Sequence, residues 1–241
     1  MGMNPILKRT LTGLAVGAVV ILAILFLPSA AFLPALGVLV MLAGVEFSVL
    51  YDSKAKMREA HDFALFVRFV GYLLGWAVVS CLMALAFVPR PYGDATCGPF
   101  MLGNVMLLYV VAIIKFSDVG GFAFGLTSAK LMKGGNHKLC PTISPNKSWE
   151  GLCGSVFASC LVSCCFMGVT GFGWTKSLAC GVVAAIVGTF GDLVESKFKR
   201  WVGVKDSSAM KITNGMGGFL DMFDSLLFAP LVLRVLMEAS F

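Results

Sequence analysis

The sequence predicts an all-α, polytopic integral membrane protein with about seven to eight transmembrane helices plus a re-entrant segment. Three observations carry that prediction. Only 13% of the 241 residues are charged and 58% are hydrophobic, giving a mean hydropathy of +0.89; a soluble domain is nearer one quarter charged. Apolar runs recur at 11–28, 31–50, 64–88, 100–115, 152–172, 176–194 and 219–237, each near or above the ~17–25 residues that cross a hydrocarbon core as a helix. Basic residues collect in a few loops between these runs. The runs are continuous rather than alternating, which favours helices over a barrel. The reading is one membrane domain over 1–241, with no nucleic-acid partner.

Taken in order, the first run follows Lys8 and Arg9 and ends before Ser29-Ala30-Ala31, an outline a signal peptide shares. More spans follow at once, so it reads as an uncleaved first helix. After the second run come Lys54, Lys56 and Arg58. Lys130, Lys133, Lys138 and Lys147 form a second basic loop, and Lys197, Lys199, Arg200, Lys205 and Lys211 a third. Positive loops stay cytoplasmic, which puts all three on one side. The loops around Ser29, 89–99 and 173–175 carry only Arg90 and face the other way. If 100–115 runs inward and 119–131 also crossed, the lysine loop at 130–147 would face outward. The segment 119–131, with Gly120, Gly121 and Gly125, is therefore expected to be re-entrant or half-spanning, buried in protein or lining a wet cavity; two short full spans would also restore parity.

On this topology Asp118 closes the helix at 100–115, Asp192 and Glu195 close that at 176–194, and Asp221 and Asp224 open the last. The acids fall at one depth. Intramembrane charge costs roughly 2.5–3.5 kcal/mol on insertion scales, so these groups are functional candidates. Asp221 and Asp224 stand three apart on one face. Two carboxylates at ~4 Å repel by about 4 kcal/mol at an effective dielectric near 20, which a divalent cation between them relieves. Hard oxygen ligands of this kind suit Mg²⁺; a solvated acid pair at a helix start is the alternative.

The loop Ser144-Pro145-Asn146-Lys147-Ser148-Trp149-Glu150-Gly151 reads as a turn fixed by Pro145, with Ser148 capping a helix that begins near Trp149. Backbone N–H groups there, with Lys147 and hydroxyls, form a natural phosphate cradle. Lys199, Arg200 and Lys205 bind either a substrate phosphate or anionic lipid headgroups. Cys153, Cys160, Cys164, Cys165 and Cys180 lie in apolar runs with no C-x-x-C pair, and read as small buried hydrophobes. No G-x-x-x-x-G-K-[ST], G-x-S-x-G or H-E-x-x-H motif occurs, so P-loop, serine-hydrolase and zinc-protease chemistry have no support.

Ser196-x-Phe198-Lys199-Arg200, then Lys205-Asp206, then Gly217-Gly218-x-x-Asp221-x-x-Asp224 resembles the signature of the phosphatidate cytidylyltransferases (CDP-diacylglycerol synthases). Asp118-x-Gly120-x-Phe122-x-Phe124-Gly125, the block from His137 to Gly151, and Gly191-Asp192-x-x-Glu195-Ser196 extend the match upstream. The similarity covers about 100–230, a catalytic region behind variable N-terminal spans over 1–95. Met216 stands where the family usually has histidine and Met222 where it has arginine, and the stretch from Asp206 to the glycine pair is longer. Lys211, Asn214 or Arg200 would then substitute for the arginine.

The resemblance implies transfer of CMP from CTP to phosphatidic acid, giving CDP-diacylglycerol and pyrophosphate. It implies Asp206, Asp221, Asp224 and Lys205 as catalytic residues, with Asp221, Asp224, Asp206 and Asp192 holding Mg²⁺. Ser144, Lys147, Ser196, Lys199, Arg200 and Asp118 would bind substrate, in a site open to the cytoplasm and to membrane lipids. An ion-coupled transporter is the alternative from another class; it predicts inverted repeats and acids at span centres, and no repeat is visible. A diverged, inactive member is a third reading, motivated by Met216 and Met222. A homodimer is left open.

Overall fold

The computed structural model describes residues 17–26, 95–133, 135–202 and 228–239, with 28, 38, 71, 75, 225 and 226. Apart from 38, 71 and 75, the expected spans at 31–50 and 64–88 lie outside the described residues, as does the segment 203–224, so the span count does too. The described part is mostly helical. Helix α1 covers Gly17–Phe26. A ribbon of β1 (Thr96–Cys97) and β2 (Phe100–Met101) turns at Gly98, whose φ of 60° is left-handed. Helix α2 (Leu102–Leu131) follows, then a second ribbon of β3 (Lys138–Cys140) and β4 (Ser144–Ser148), then α3 (Trp149–Cys165), the single turn α4 (Met167–Thr170), α5 (Trp174–Val202) and α6 (Ala229–Glu238).

Among the described residues, α2 and Trp174–Arg200 of α5 are long and apolar enough to cross a membrane. Their outer faces stay apolar: Phe116, Val119, Phe122, Leu178, Ile186 and Phe190 are all exposed. A surface this continuous in large apolar groups suits lipid contact rather than water. Inside, Met106, Tyr109, Val110, Ile113 and Ile114 of α2 pack against Cys180 and Ala184 of α5 and Ala229 and Leu233 of α6.

The expected re-entrant segment is not there. Helix α2 continues unbroken through 119–131, about 45 Å at 1.5 Å per residue. Its length, well beyond a ~30 Å hydrocarbon core, carries the chain from the β1–β2 end to the lysine loop in one pass. The parity difficulty therefore disappears. No proline interrupts it, and its glycines are spent on packing. A Cβ on Gly120 would lie 2.5 Å from both Ala158 Cβ and Gly154 O; one on Gly121 would collide with Ser155 Oγ, and one on Gly154 with Phe124 Cβ. Helix α3 thus runs antiparallel to α2 at backbone contact, with Gly151 meeting Gly121. Farther along, Tyr109 Oη and Ser163 Oγ lie 2.8 Å apart, and Ser163 Oγ donates to Ser177 O at 2.7 Å. Ser159 Oγ reaches Gly181 O at 2.8 Å, joining α3 to an antiparallel α5. With α3 antiparallel to both, α2 and α5 run parallel.

Two further expectations change. Asp118 and Asp192 do not close their helices; both lie inside longer ones. Pro145 does not make the turn either: it sits in β4, and the turn runs Cys140–Ile143, with Ile143 N donating to Cys140 O at 3.2 Å. A two-stranded ribbon has unpaired edges that tolerate a residue without an N–H. The cap holds as expected, since Ser148 Oγ accepts from Gly151 N at 3.1 Å. His137 clamps the ribbon to α3. Its backbone N–H donates to Glu150 Oε1 at 3.1 Å, its ring Nδ1 lies 2.6 Å from the same oxygen, and its carbonyl accepts from Trp149 N at 3.0 Å.

Gly154→Leu is expected to destabilise by at least the ~1–3 kcal/mol of an overpacked core, read as a lowered melting temperature in detergent. Gly168→Ala, with nothing within 4 Å of the added Cβ, should leave it within error or raise it. The hydrogen bond from the His137 ring, with those from the backbone, holds the Glu150 carboxyl down to about 2. A depressed folded-state value means that the clamp is complete above the ordinary carboxylate range and weakens only as pH falls toward 2. Tryptic cleavage after Lys138 should therefore be several-fold faster in Glu150→Gln than in the unaltered chain at pH 8; equal rates would remove the clamp from the account.

Candidate active site

Where α2, α3 and α5 meet the β3–β4 ribbon, a cavity of about 280 Å³ opens. Asp118, Gly121 and Phe122 of α2 line one side, and Thr189 and Asp192 of α5 another. The ribbon contributes Leu139, Ser144, Asn146, Lys147 and Ser148, and α3 contributes Gly151, Leu152 and Ser155. The glycine crossing creates this geometry. Because Gly121 and Gly151 let the backbones touch, the start of α3 is held level with Asp118, and β4 delivers Lys147 across to α5.

Lys147 Nζ lies 2.6 Å from Asp192 Oδ2 and 3.4 Å from Thr189 O. Both side chains are about four-fifths buried, at 23% and 22% exposure. Breaking one partner of a buried pair strands the other, at a cost of ~3–5 kcal/mol when burial is complete and less here. The other carboxylate oxygen, Asp192 Oδ1, is buried with no hydrogen-bond partner. Such atoms are rare in native structures and call for an explanation. Asp118 Oδ2 accepts from Ser225 Oγ at 2.8 Å and lies 3.5 Å from Lys115 Nζ, which itself donates to Ser225 Oγ at 2.9 Å.

Chemically the cavity offers a cation, two carboxylates and several hydroxyls in a partly dry setting. The expected backbone cradle is smaller than anticipated. Of the first N–H groups of α3, that of Trp149 is taken by His137 O and that of Gly151 by Ser148 Oγ. Lys147 is accordingly the principal anion-binding group among the described lining residues.

Of the residues expected to serve the site, Asp118, Ser144, Lys147 and Asp192 converge on this cavity. Ser196, Lys199 and Arg200 belong to α5 but do not line it; Lys199 Nζ pairs instead with the buried Glu195 at 2.6 Å. Lys205, Asp206, Asp221 and Asp224 lie outside the described residues. Sequence reasoning passed over Thr189, Ser155, Lys115 and Ser225. Lys115 carried a usable signal, a charge inside an apolar run one turn before an acid; the others had none.

Residues 72–240 match the protein family described as "Cytidylyltransferase family". The chain is 41% identical over 136 residues to a phosphatidate cytidylyltransferase of Staphylococcus aureus (strain COL), covering 56% of this chain and 49% of that protein. It is 39% identical over 162 residues to one from Staphylococcus haemolyticus (strain JCSC1435), covering 65% and 58%. It is 41% identical over 134 residues to one from Staphylococcus epidermidis, covering 54% and 48%. The chain thus spans about half the length of the curated relatives it matches. No solved structure matches it. The family match over most of the chain, with the cavity residues inside the matched stretch, makes the protein a member of the cytidylyltransferase family.

Proposed function

We propose that this protein transfers CMP from CTP to phosphatidic acid, releasing pyrophosphate and forming CDP-diacylglycerol. The observation that carries the reading is the pairing of Lys147 with Asp192 in a cavity whose rim includes the exposed, apolar Phe122. Such a site suits a triphosphate on its polar side and a lipid phosphate arriving from the bilayer. The relatives' names point to the same chemistry.

In the reaction an oxygen of the lipid phosphate attacks the α-phosphorus of CTP. A new P–O bond forms, the bond to the β-phosphate breaks, and pyrophosphate leaves with the electron pair. The protein's part is to position the reactants and stabilise developing charge. Lys147 turns from Asp192 toward a phosphate oxygen, and Ser144 donates a hydrogen bond beside it. Asp192 and Asp118 fit a divalent cation, because one buried oxygen of Asp192 has no hydrogen-bond partner and both side chains present hard oxygen donors to one cavity. Mg²⁺ bound there, completed by Asp206, Asp221 and Asp224 from the following segment, would neutralise phosphate charge and polarise the α-phosphate. The protein sits in the membrane with this cavity toward the cytoplasm, which agrees with Lys130, Lys133 and Lys138 flanking it in the chain.

The test is conversion of labelled CTP and phosphatidic acid by the purified chain in detergent. Lipid-linked CMP and pyrophosphate should appear together, EDTA should abolish both, and Mg²⁺ should restore them. Asp192→Asn and Lys147→Met should each lower kcat about 10²–10³-fold, the range for losing one charge-stabilising group. Failure of the unaltered chain to form product beside an active control enzyme overturns the reading.

A further inference from the structure

Lys115 stands about 20 Å along α2 from Leu102 at 1.5 Å per residue, deep in a helix otherwise suited to lipid. An ammonium at such a position is retained against an insertion cost of roughly 2.5–3.5 kcal/mol. Its contacts show what it is retained for. Its Nζ donates to Ser225 Oγ at 2.9 Å, and the single hydroxyl proton of Ser225 goes on to Asp118 Oδ2 at 2.8 Å. The order of donors is therefore fixed, from Lys115 through Ser225 to Asp118. Ser225 is fully buried, and its carbonyl oxygen packs against Gly188 of α5, 3.7 Å from where a Cβ would stand. Through its hydroxyl to α2 and its carbonyl to α5, Ser225 thus ties both helices to the approach to α6.

Two consequences follow for the cavity. Asp118 is anchored through Oδ2, so Oδ1 is the oxygen left for a ligand. Lys115 balances charge as well: among the described residues, Asp118 and Asp192 stand beside two cations, Lys115 and Lys147.

We infer that Lys115 and Ser225 are positioning residues of the nucleotidyl-transfer site, orienting Asp118. The inference rests on the proposed transfer reaction. Neither residue touches substrate; both act through carboxylates.

The test compares Lys115→Met, Lys115→Arg and Ser225→Ala with the unaltered full chain in detergent. Kinetics at varied CTP and Mg²⁺ are combined with Mn²⁺ titration by electron paramagnetic resonance and thermal unfolding. Lys115→Met and Ser225→Ala are expected to lower kcat about tenfold or more while KM for CTP moves less than about threefold. Both should raise the half-saturating Mn²⁺ concentration several-fold, and Lys115→Arg should recover most of each loss, because an ammonium here acts as a point charge rather than a fork. Unchanged kcat and Mn²⁺ affinity in both Lys115→Met and Ser225→Ala would overturn the inference. So would losses that arginine does not rescue and that track a fall in melting temperature. An inactive unaltered chain counts against the transfer reaction instead; the Mn²⁺ titration then decides the positioning role on its own.

Discussion

Charge placed inside apolar helices must find a partner, and that constraint organises what is built around the cavity. Lys147 answers Asp192, Lys115 and Ser225 answer Asp118, and Lys199 answers Glu195. Two of these join distant stretches of chain, β4 to α5 and α2 to the approach to α6, while Lys199 and Glu195 pair within α5. At the low effective dielectric of such a setting an ion pair at ~4 Å carries several kcal/mol of attraction, most of it offset by desolvation. The net stability gained is small. What the pairs supply is a fixed geometry, in which Asp118, Lys147 and Asp192 share one cavity.

That geometry needs a second constraint, close approach of backbones. Gly120, Gly121 and Gly125 of α2 meet Gly151 and Gly154 of α3 with no room for a Cβ at the tightest points. In a bilayer apolar side chains gain little by leaving lipid for one another, so small residues and interhelical hydrogen bonds take over as the cohesive elements. The serines at 155, 159 and 163 extend the same seam, two of them bonding across to α5. The cavity opens beside this seam, with Gly121, Gly151 and Ser155 in its lining. Packing and site are therefore continuous along one face of α3.

The helices themselves were legible in the sequence, since hydropathy reports burial in lipid directly. So was Ser148 as a cap. Asp118 and Asp192 were legible at one depth, and Ser144 and Lys147 through the motif resemblance, but that the four line one cavity was not legible, because depth does not fix a point. The continuity of α2 was not legible. Glycine reads equally as a breaker or as a contact point, and only the partner helix decides between them. The two short ribbons were missed because strands of two to five residues show no alternation to detect. The roles of Lys115 and Ser225 were hidden for another reason: they stand 110 residues apart in sequence, and nothing local to either one names the other.

The central claim is that Lys147 leaves Asp192 to hold a nucleotide phosphate. It is tested most directly by lysine footprinting with an acylating reagent in native membranes, read by mass spectrometry with and without CTP and Mg²⁺. The account predicts saturable protection of Lys147 by CTP, with Lys130 and Lys133 labelled equally in both conditions. Equal labelling of Lys147 at saturating CTP would contradict it.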